Sequence, residues 1–368
     1  MKILKRKLSV STLLILLVIL SGCSTNPLAP DHNNTSVSTN PPVVTQRDSI
    51  SVNGANPNSL LNGFAQKDSL QTVSFTDLNH GWLVIGHSIF RTEDRGLHWS
   101  KIANINADVH DMDFISLKLG WLATSDGLLN TQDDGITWDK NGMPHVTTAN
   151  QVQFVDAEHG WVLVGDPASN LTLMGTKDGG KNWTRYEVPG LSVGFSAALS
   201  FISKEQGFVI VGSQPGAGRQ GKTLFKTVDA GHHWQKISLQ AIDSPDTGNG
   251  LPGSGYVSSI SFVNNQVGFF SEARGFVLET TDGGCAWKTL GDYRDTPLKD
   301  LHFFDSKHGY AIYRNNLLMT QDGGTTWKQI YPGLWPTLFD LTHFFNSDDG
   351  VSAGSLVEPR AILGTSNQ

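Results

Sequence analysis

The 368-residue sequence contains few cysteines. Cys23 and Cys285 are its two cysteines, and they form neither a CxxC pair nor part of a cysteine–histidine cluster of the kind that binds zinc. The sequence therefore predicts no metal site, and nothing in it indicates a cofactor.

Charged residues are also scarce, at 17% of the chain, and the formal net charge is −7. Four of the basic residues lie within the first seven positions. Without them 23 basic residues remain against 34 acidic ones, a formal charge of −11. Because the phosphate backbone of nucleic acids binds Lys and Arg, this balance argues against a nucleic-acid partner.

One apolar run stands out, from Val10 to Leu20, directly after the basic residues. As a helix it would rise about 16 Å, which is too short for a hydrocarbon core of about 30 Å. The pattern is typical of a secretory signal peptide, which we assign to residues 1–22.

The apolar run ends in Leu20-Ser21-Gly22-Cys23. This segment resembles the lipobox of bacterial lipoproteins, in which the cysteine is lipidated and becomes the mature N-terminus. We therefore expect a lipid on Cys23, no intramolecular disulfide, and attachment to the extracytoplasmic side of the cell membrane. Residues 23–58 are rich in Ser, Thr, Asn and Pro, which predicts a flexible tether.

The rest of the chain, residues 59–368, is dominated by repeats. The pattern T-x-D-x-G-x-x-W, an Asp box, occurs six times: at Thr92–Trp99, Thr131–Trp138, Thr176–Trp183, Thr227–Trp234, Thr280–Trp287 and Thr320–Trp327. An apolar segment with a turn, a glycine and usually an aromatic residue precedes each box, and a seventh copy includes Gly350. These glycines recur after 39, 40, 47, 61, 41 and 41 residues. A period near 40 predicts one four-stranded β-propeller blade per repeat.

Short β-rich runs bounded by turn residues define the four strands, A to D, of each blade. In the first blade we predict strands at Thr72–Phe75, Trp82–Ile85, Ser88–Arg91 and Trp99–Ile102. The seventh repeat stops at Asn367, inside its box and before strand D. We therefore predict an all-β, seven-bladed propeller whose last blade is completed by the N-terminal segment, because closure removes open sheet edges. A six-bladed ring is the alternative.

The unit F-x-D-x-x-H-G-W followed by T-x-D-G-G-x-x-W resembles the photosystem II assembly/stability factor family over about residues 70–368. That resemblance implies a seven-bladed propeller that acts as an assembly chaperone and binds a membrane-protein subunit. We therefore expect a non-enzymatic, membrane-tethered protein that binds a protein partner.

The repeated box residues are interpreted as turn and core residues, because a residue repeated around the rim cannot converge on one site. They are Asp94, Asp133, Asp178, Asp229, Asp282 and Asp322, together with Trp99, Trp138, Trp183, Trp234, Trp287 and Trp327. No catalytic residue is assigned. An extracytoplasmic glycan-binding protein or a sialidase-like glycoside hydrolase remains the alternative, although the sialidase Arg-Ile-Pro signature is absent and no sequence spacing pairs carboxylates.

Insertions suggest where a partner binds. Strands B–C and D–A are connected on one face of a propeller, and the extra residues at about Asp166–Asn170, Ser213–Lys222 and Gln240–Tyr256 all fall on that face. Long loops grouped on one face often carry function. Arginine and aromatic residues, which are favoured at interface hot spots, give the candidate partner-binding set: Arg219, Arg274, Tyr293, Arg294, Arg314, Tyr331 and Trp335.

Overall fold

The computed structural model describes residues 69–331, apart from 141–142, 144–147, 167–168, 243–249 and 294–297. The described residues form six antiparallel sheets of four strands each. Each sheet is built from four consecutive strands, so each repeat of the sequence is one blade. The predicted β-propeller is confirmed.

The first three blades share the A-to-D strand order. Their strands are β1 (Leu70–Phe75), β2 (Gly81–Ile85), β3 (Ser88–Thr92), β4 (Ser100–Asn104), β5 (Val109–Phe114), β6 (Gly120–Thr124), β7 (Gly127–Thr131), β8 (Asp139–Lys140), β9 (Ala149–Phe154), β10 (Gly160–Asp166), β11 (Ser169–Thr176) and β12 (Thr184–Tyr186). The predicted first-blade strands agree with β1 to β4 to within two residues at every end.

The other three blades follow a short 3₁₀ helix, Leu191–Val193. Their strands are β13 (Ser196–Phe201), β14 (Gly207–Gly212), β15 (Lys222–Thr227), β16 (Gln235–Gln240), β17 (Val257–Phe262), β18 (Gly268–Glu272), β19 (Phe276–Thr280), β20 (Lys288–Asp292), β21 (Leu298–Phe303), β22 (Gly309–Tyr313), β23 (Asn316–Thr320) and β24 (Lys328–Tyr331).

Aromatic stacking joins neighbouring blades. The aromatic residue after the strand B glycine of one blade stacks on the strand A phenylalanine of the next blade, as in Trp82 on Phe114, with ring centroids 3.8 Å apart. The same contact recurs between the next blades, with ring centroids 3.5–3.6 Å apart, in four pairs: Trp121–Phe154, Trp161–Phe201, Phe208–Phe262 and Phe269–Phe303. Each phenylalanine also lies over the strand B glycine of its own blade, where a Cβ would clash with the ring. The glycine–aromatic signature is therefore a requirement of packing between blades.

Polar side chains of the inner strands also join the blades. In each case a strand A side chain of one blade accepts a hydrogen bond from a backbone N–H in strand A of the next blade. The acceptors in chain order are Ser74, Asp111, Asp113, Gln151, Gln153, Ser200, Ser259, Ser261 and Asp300. These bonds satisfy backbone donors that a propeller's inner strands cannot pair within their own sheet.

The ring closes with six blades, which corrects the preferred number of seven to the alternative. Blade 6 packs directly on blade 1: the Asp300 carboxylate accepts a hydrogen bond from the Val73 N–H at 3.2 Å. The rings of Tyr310 and Phe75 lie 5.3 Å apart within one shared hydrophobic cluster. A seventh blade between them would separate these groups. The residues predicted to build it, before 69 and after 331, lie outside the described residues.

Candidate functional site

The turns and loops lie on two faces. On the loop face, B–C turns meet D–A connections, as when the Ile105 N–H donates to the His87 carbonyl. On the box face, the Asp boxes meet the A–B turns, as when the Arg95 N–H donates to the Asn79 carbonyl. Each of the predicted insertions therefore belongs to the loop face.

The six boxes share one hydrogen-bond pattern. In the third box the Asp178 carboxylate accepts from the Thr176 hydroxyl, the Asn182 N–H and the Asn182 side chain. These bonds, led by the one from the Asn182 side chain, lower the pKa of Asp178 to about 2. The other five box carboxylates accept the equivalent threonine and backbone bonds. Because their oxygen atoms already accept hydrogen bonds within the turn, we interpret these carboxylates as structural.

The box tryptophans pack edge-on against the strand A phenylalanine of their own blade, with ring centroids 5.8–6.3 Å apart. In five boxes the indole N–H donates to the box glycine carbonyl. That glycine has a positive φ, +82° at Gly96, which favours glycine over any other residue. Each box thus anchors strand D and the aromatic contact between blades.

The inner strands surround a central channel with a cavity of about 400 Å³. Three carboxyl groups line it, those of Asp111, Asp113 and Asp300. Burial raises the pKa of Asp113 to about 7 and that of Asp300 to about 6. Burial and then the negative charge of Asp300 raise the pKa of Asp111 well above its usual value. All three carboxylates accept hydrogen bonds from the next blade, so each already has a structural role.

The channel also contains His302, whose ring stacks on Tyr310 at 5.2 Å. Burial lowers its pKa to about 4, so the imidazole is neutral at physiological pH. Among the residues that the structure describes, no cluster of three or more His, Cys, Asp or Glu side chains has the geometry to hold a metal ion.

The most elaborate part of the loop face lies at blades 4 and 5. The hairpin loop, residues 213–221, pairs with residues 250–256, which we call the strap. The Gln220 N–H donates to the Gly253 carbonyl and the Gly255 N–H to the Gly218 carbonyl, both at 3.1 Å. The Arg219 guanidinium adds a bond to the Ile242 carbonyl at 3.1 Å. Two insertions of the sequence thus form one ordered surface.

A buried lysine holds this surface together. Lys222 is 0% exposed, and its ammonium group donates to the strap carbonyls of Pro252, Ser254 and Gly255 at 2.7, 2.7 and 3.2 Å. Glu272 of blade 5 is also fully buried, and a Cβ at Gly255 would collide with its carboxylate. Burial raises the pKa of Glu272 to about 7, against the lowering effect of the nearby Lys222 charge.

The sequence analysis missed Lys222 and Glu272. The available signal was a charged residue at one end of a strand that also contains large apolar residues: Lys222 opens β15 and Glu272 closes β18. It also missed Asp111 and Asp113, although two carboxylates that alternate along an inner strand indicate a polar channel.

Three of the predicted partner-binding arginines, Arg219, Arg274 and Arg314, lie on the loop face of blades 4 to 6. Arg274 is exposed and its guanidinium lies against Gly218 of the hairpin loop. Arg219 is partly buried between the hairpin loop and the strap. Arg314 is exposed in the B–C turn of blade 6, with its guanidinium 5.5 Å from the Tyr313 ring centroid. The structure therefore brings Arg219 and Arg274 together and places Arg314 in the next blade.

Tyr293, an aromatic member of the predicted set, does not contribute to this surface. Tyr293 is only 5% exposed and packs in the core between blades 5 and 6, which corrects its assignment to the outer surface. Burial raises the pKa of its hydroxyl. Arg294, Trp335 and the Tyr331 side chain lie outside the described residues.

The bonding of Cys285 differs from what the sequence analysis predicts. The Cys285 sulfur takes part in a disulfide, contrary to the expectation that none forms. Cys23, the other cysteine of the sequence, lies outside the described residues. No helix of the described residues is long and apolar enough to cross a membrane.

Comparison with known families identifies a similarity in the middle of the chain. Two overlapping segments, residues 101–190 and 140–244, match the family described as photosynthesis system II assembly factor YCF48. The chain is therefore an Asp-box β-propeller that resembles this family. No curated protein matches the chain at a significant level.

Solved structures similar to this chain include YCF48 bound to D1 peptide, at 16% identity and a TM-score of 0.44, covering 69% of this chain and 93% of that one. YCF48 from Cyanidioschyzon merolae is 18% identical, with a TM-score of 0.47 and coverage of 73% and 88%. The GH74 enzyme of Niastella koreensis is 16% identical, with a TM-score of 0.50 and coverage of 71% and 46%. The likeness to the GH74 enzyme, with its TM-score of 0.50, indicates a common fold and nothing further.

Proposed function

We propose that this chain is a membrane-tethered, non-enzymatic binding or assembly protein that holds a protein partner on the loop face of blades 4 to 6. The observation that carries the proposal is the surface built by the hairpin loop and the strap around the buried Lys222. Such a rigid, preorganised surface lowers the ordering cost of binding a partner.

The charge of this surface indicates the kind of partner. Arg274 is exposed on it beside the partly buried Arg219, and Arg314 is exposed in the B–C turn of the next blade. Glu272, a carboxyl group close to Arg274, is buried. Exposed arginine side chains on one face favour a partner segment with carboxylate groups. The similarity of residues 101–244 to the YCF48 assembly-factor family supports an assembly role over an enzymatic one.

The tether is the second part of the proposal. The lipobox at Leu20–Cys23 supports a lipid on Cys23, with the propeller on the extracytoplasmic side. Intact mass spectrometry of the chain purified from host membranes tests this directly. A mass that includes the lipid, with removal of residues 1–22, is the expected result. A Cys23–Cys285 disulfide peptide without lipid would remove the tether from the proposal and leave the binding surface in place.

An affinity purification from detergent-solubilised host membranes tests the binding surface. The bait is the tethered protein, and a second bait carries Arg274→Ala and Arg314→Ala. The matched control carries Lys204→Ala and Lys307→Ala, which remove the same charge from exposed positions in A–B turns of the box face. We expect one membrane-protein partner at a constant ratio with the wild-type and control baits.

The loss of that partner from the arginine variant alone supports the loop-face assignment. Equal recovery with all three baits excludes this surface as the binding site. Recovery of no protein, together with retention of a cell-wall glycan fraction, overturns the assembly function and favours glycan binding.

A glycoside hydrolase is the second candidate, and the channel carboxyl groups favour it. Asp113, with a pKa near 7, has the protonation behaviour of a general acid, and Asp111 and Asp300 line the same cavity. Against this, all three bind backbone N–H groups of the next blade. Hydrolysis of aryl glycosides by the wild type and not by Asp113→Asn would support the enzyme.

A further inference from the structure

The inner strand of blade 6 breaks a pattern that the other five blades follow. In those blades the residue before the strand A phenylalanine accepts a hydrogen bond from the N–H of the next blade's phenylalanine, as Ser261 does from Phe303 at 3.0 Å. The other four acceptors are Ser74, Asp113, Gln153 and Ser200. Blade 6 has His302 at this position, and its ring takes part in ring contacts but in no hydrogen bond within the described part of the chain. The junction between blades 6 and 1 therefore leaves this imidazole unused.

The His302 ring lies in the wall of the central channel, and the accessible part of its surface faces the cavity. It stacks on Tyr310 and meets Phe304 edge-on, so aromatic contacts fix its orientation. Burial lowers its pKa to about 4, which keeps the imidazole neutral at physiological pH. A neutral imidazole has one ring nitrogen that accepts a hydrogen bond. The channel therefore presents a fixed acceptor without a partner among the described residues.

The channel also has an excess of acidic groups. Among the described residues that line it, Lys299 is the only lysine or arginine, against the carboxyl groups of Asp111, Asp113 and Asp300. Burial raises the pKa of Asp300 to about 6, although the exposed Lys299 lowers it, and burial raises the pKa of Asp113 to about 7. A positive charge inside the channel would favour the ionised form of each carboxyl group. A cation therefore complements this cavity.

The lining of the channel favours an organic cation over a metal ion. Within the described residues, no three His, Cys, Asp or Glu side chains come together as a metal site requires. The cavity of about 400 Å³ has room for a small molecule, and its wall includes the aliphatic side chains of Val73, Leu163 and Leu199. A short-chain amine has methylene groups for such a wall and an ammonium group with three N–H donors.

We propose that the central channel binds a small primary amine, whose ammonium group is held by the Asp113 and Asp300 carboxylates and by the His302 imidazole. The inference depends neither on the membrane tether nor on the loop-face partner. Binding of the ammonium group stabilises the Asp113 carboxylate and lowers its pKa, so binding near neutral pH releases a proton. Adsorption of an amine to the exposed acids of the surface, which are already ionised, releases none.

Isothermal titration calorimetry tests the channel, with 1,4-diaminobutane as the probe and 1,4-butanediol as its uncharged counterpart. The protein is the processed chain, residues 23–368, at pH 7. Asp113→Asn keeps an acceptor for the Phe154 N–H and cannot ionise. His302→Phe keeps a ring against Tyr310 and removes the nitrogen atoms. The matched control is Asp305→Asn, which removes one negative charge from an exposed A–B turn of the box face.

We expect the wild type and Asp305→Asn to bind the diamine with a Kd below about 1 mM, and the two channel variants to bind at least about tenfold more weakly, since each loses a hydrogen bond to a charged group. Titration in two buffers of different ionisation enthalpy should show proton release that Asp113→Asn abolishes. If His302→Phe does not fold, Asp113→Asn decides the outcome. Three results overturn the proposal: no binding of the diamine, equal binding by all four proteins, or equal affinity for butanediol.

Discussion

At the scale of single residues, the Asp-box carboxylate accepts several hydrogen bonds of its turn. Asp178→Ala removes three acceptor contacts, those to the Thr176 hydroxyl and to the backbone and side chain of Asn182. We expect a lower midpoint of urea denaturation, because the donors of the turn lose their acceptor. Asp178→Asn is the control, because its side-chain oxygen still accepts the backbone bond and less stability is lost. Equal losses for Asn and Ala would contradict a hydrogen-bonding role.

The channel carboxyl group of Asp113 predicts a pH effect on stability. Its folded pKa of about 7 lies above the usual value of 3.8. The stability that it contributes is therefore complete below about pH 4 and is lost as the pH rises through about 7. His302, with a pKa of about 4, acts in the opposite direction as the pH falls below its usual 6.5. A comparison of variants with the wild type isolates the effect of Asp113.

Asp113→Asn keeps an acceptor for the Phe154 N–H and cannot ionise. We expect its free energy of unfolding, relative to wild type, to improve from about pH 4 to about pH 7 and to level off above that, measured by chemical denaturation. Asp305→Asn is the control, because the hydrogen bond from the His308 side chain helps to lower the pKa of Asp305 to about 2 and keeps it ionised over this range. A constant difference between Asp113→Asn and wild type would show that the Asp113 carboxyl does not titrate in this window.

At the scale of strands and loops, Lys222 connects two elements that are far apart in sequence. Lys222→Met leaves the strap carbonyls without their donor and Glu272 without a compensating charge. We expect a loss of about 3–5 kcal/mol in the free energy of unfolding and faster hydrogen exchange at the Gln220 and Gly255 amides, which join the hairpin loop to the strap.

Lys226→Met is the matched control for Lys222, since Lys226 lies in the same strand with its ammonium 5.4 Å from the Phe208 ring centroid and no strap contact described. Adding Glu272→Gln to Lys222→Met restores part of the stability, because a neutral side chain then replaces the uncompensated carboxyl. Unchanged exchange in the strap of Lys222→Met would mean that other contacts hold it.

The strands and loops also show which features of the fold could be predicted from the sequence. The strand order, the boxes and the glycine–aromatic pairs repeat locally, so periodicity predicts them along with the face of each loop. The Lys222–strap contact joins positions about 30 residues apart, and it is not repeated in any other described blade. The burial of Tyr293 depends on the packing of blade 5 against blade 6. Neither has a periodic signal, so neither could be read from one sequence.

At the scale of the whole molecule, the number of blades depends on how the ends of the ring meet. Repeat counting gave seven because it included the incomplete copy around Gly350. The structure joins blade 6 to blade 1 through Asp300 and Val73 and through Tyr310 and Phe75. This junction is looser than the others: its rings are tilted and 5.3 Å apart, whereas the other five pairs stack at 3.5–3.8 Å.

A closed ring of six blades needs no strand from residues 332–368. We therefore expect a chain that ends at Tyr331 to fold, with near-ultraviolet circular dichroism like that of the full chain. Its melting temperature should lie within about 2–4 °C, the shift produced by 1 kcal/mol in a domain of this size. The control chain ends at Tyr293 and lacks blade 6, so Phe75 and Val73 lose their partners and cooperative unfolding should disappear. An insoluble or non-cooperative chain ending at Tyr331 would show that the last repeat belongs to the ring and would restore the seven-bladed alternative.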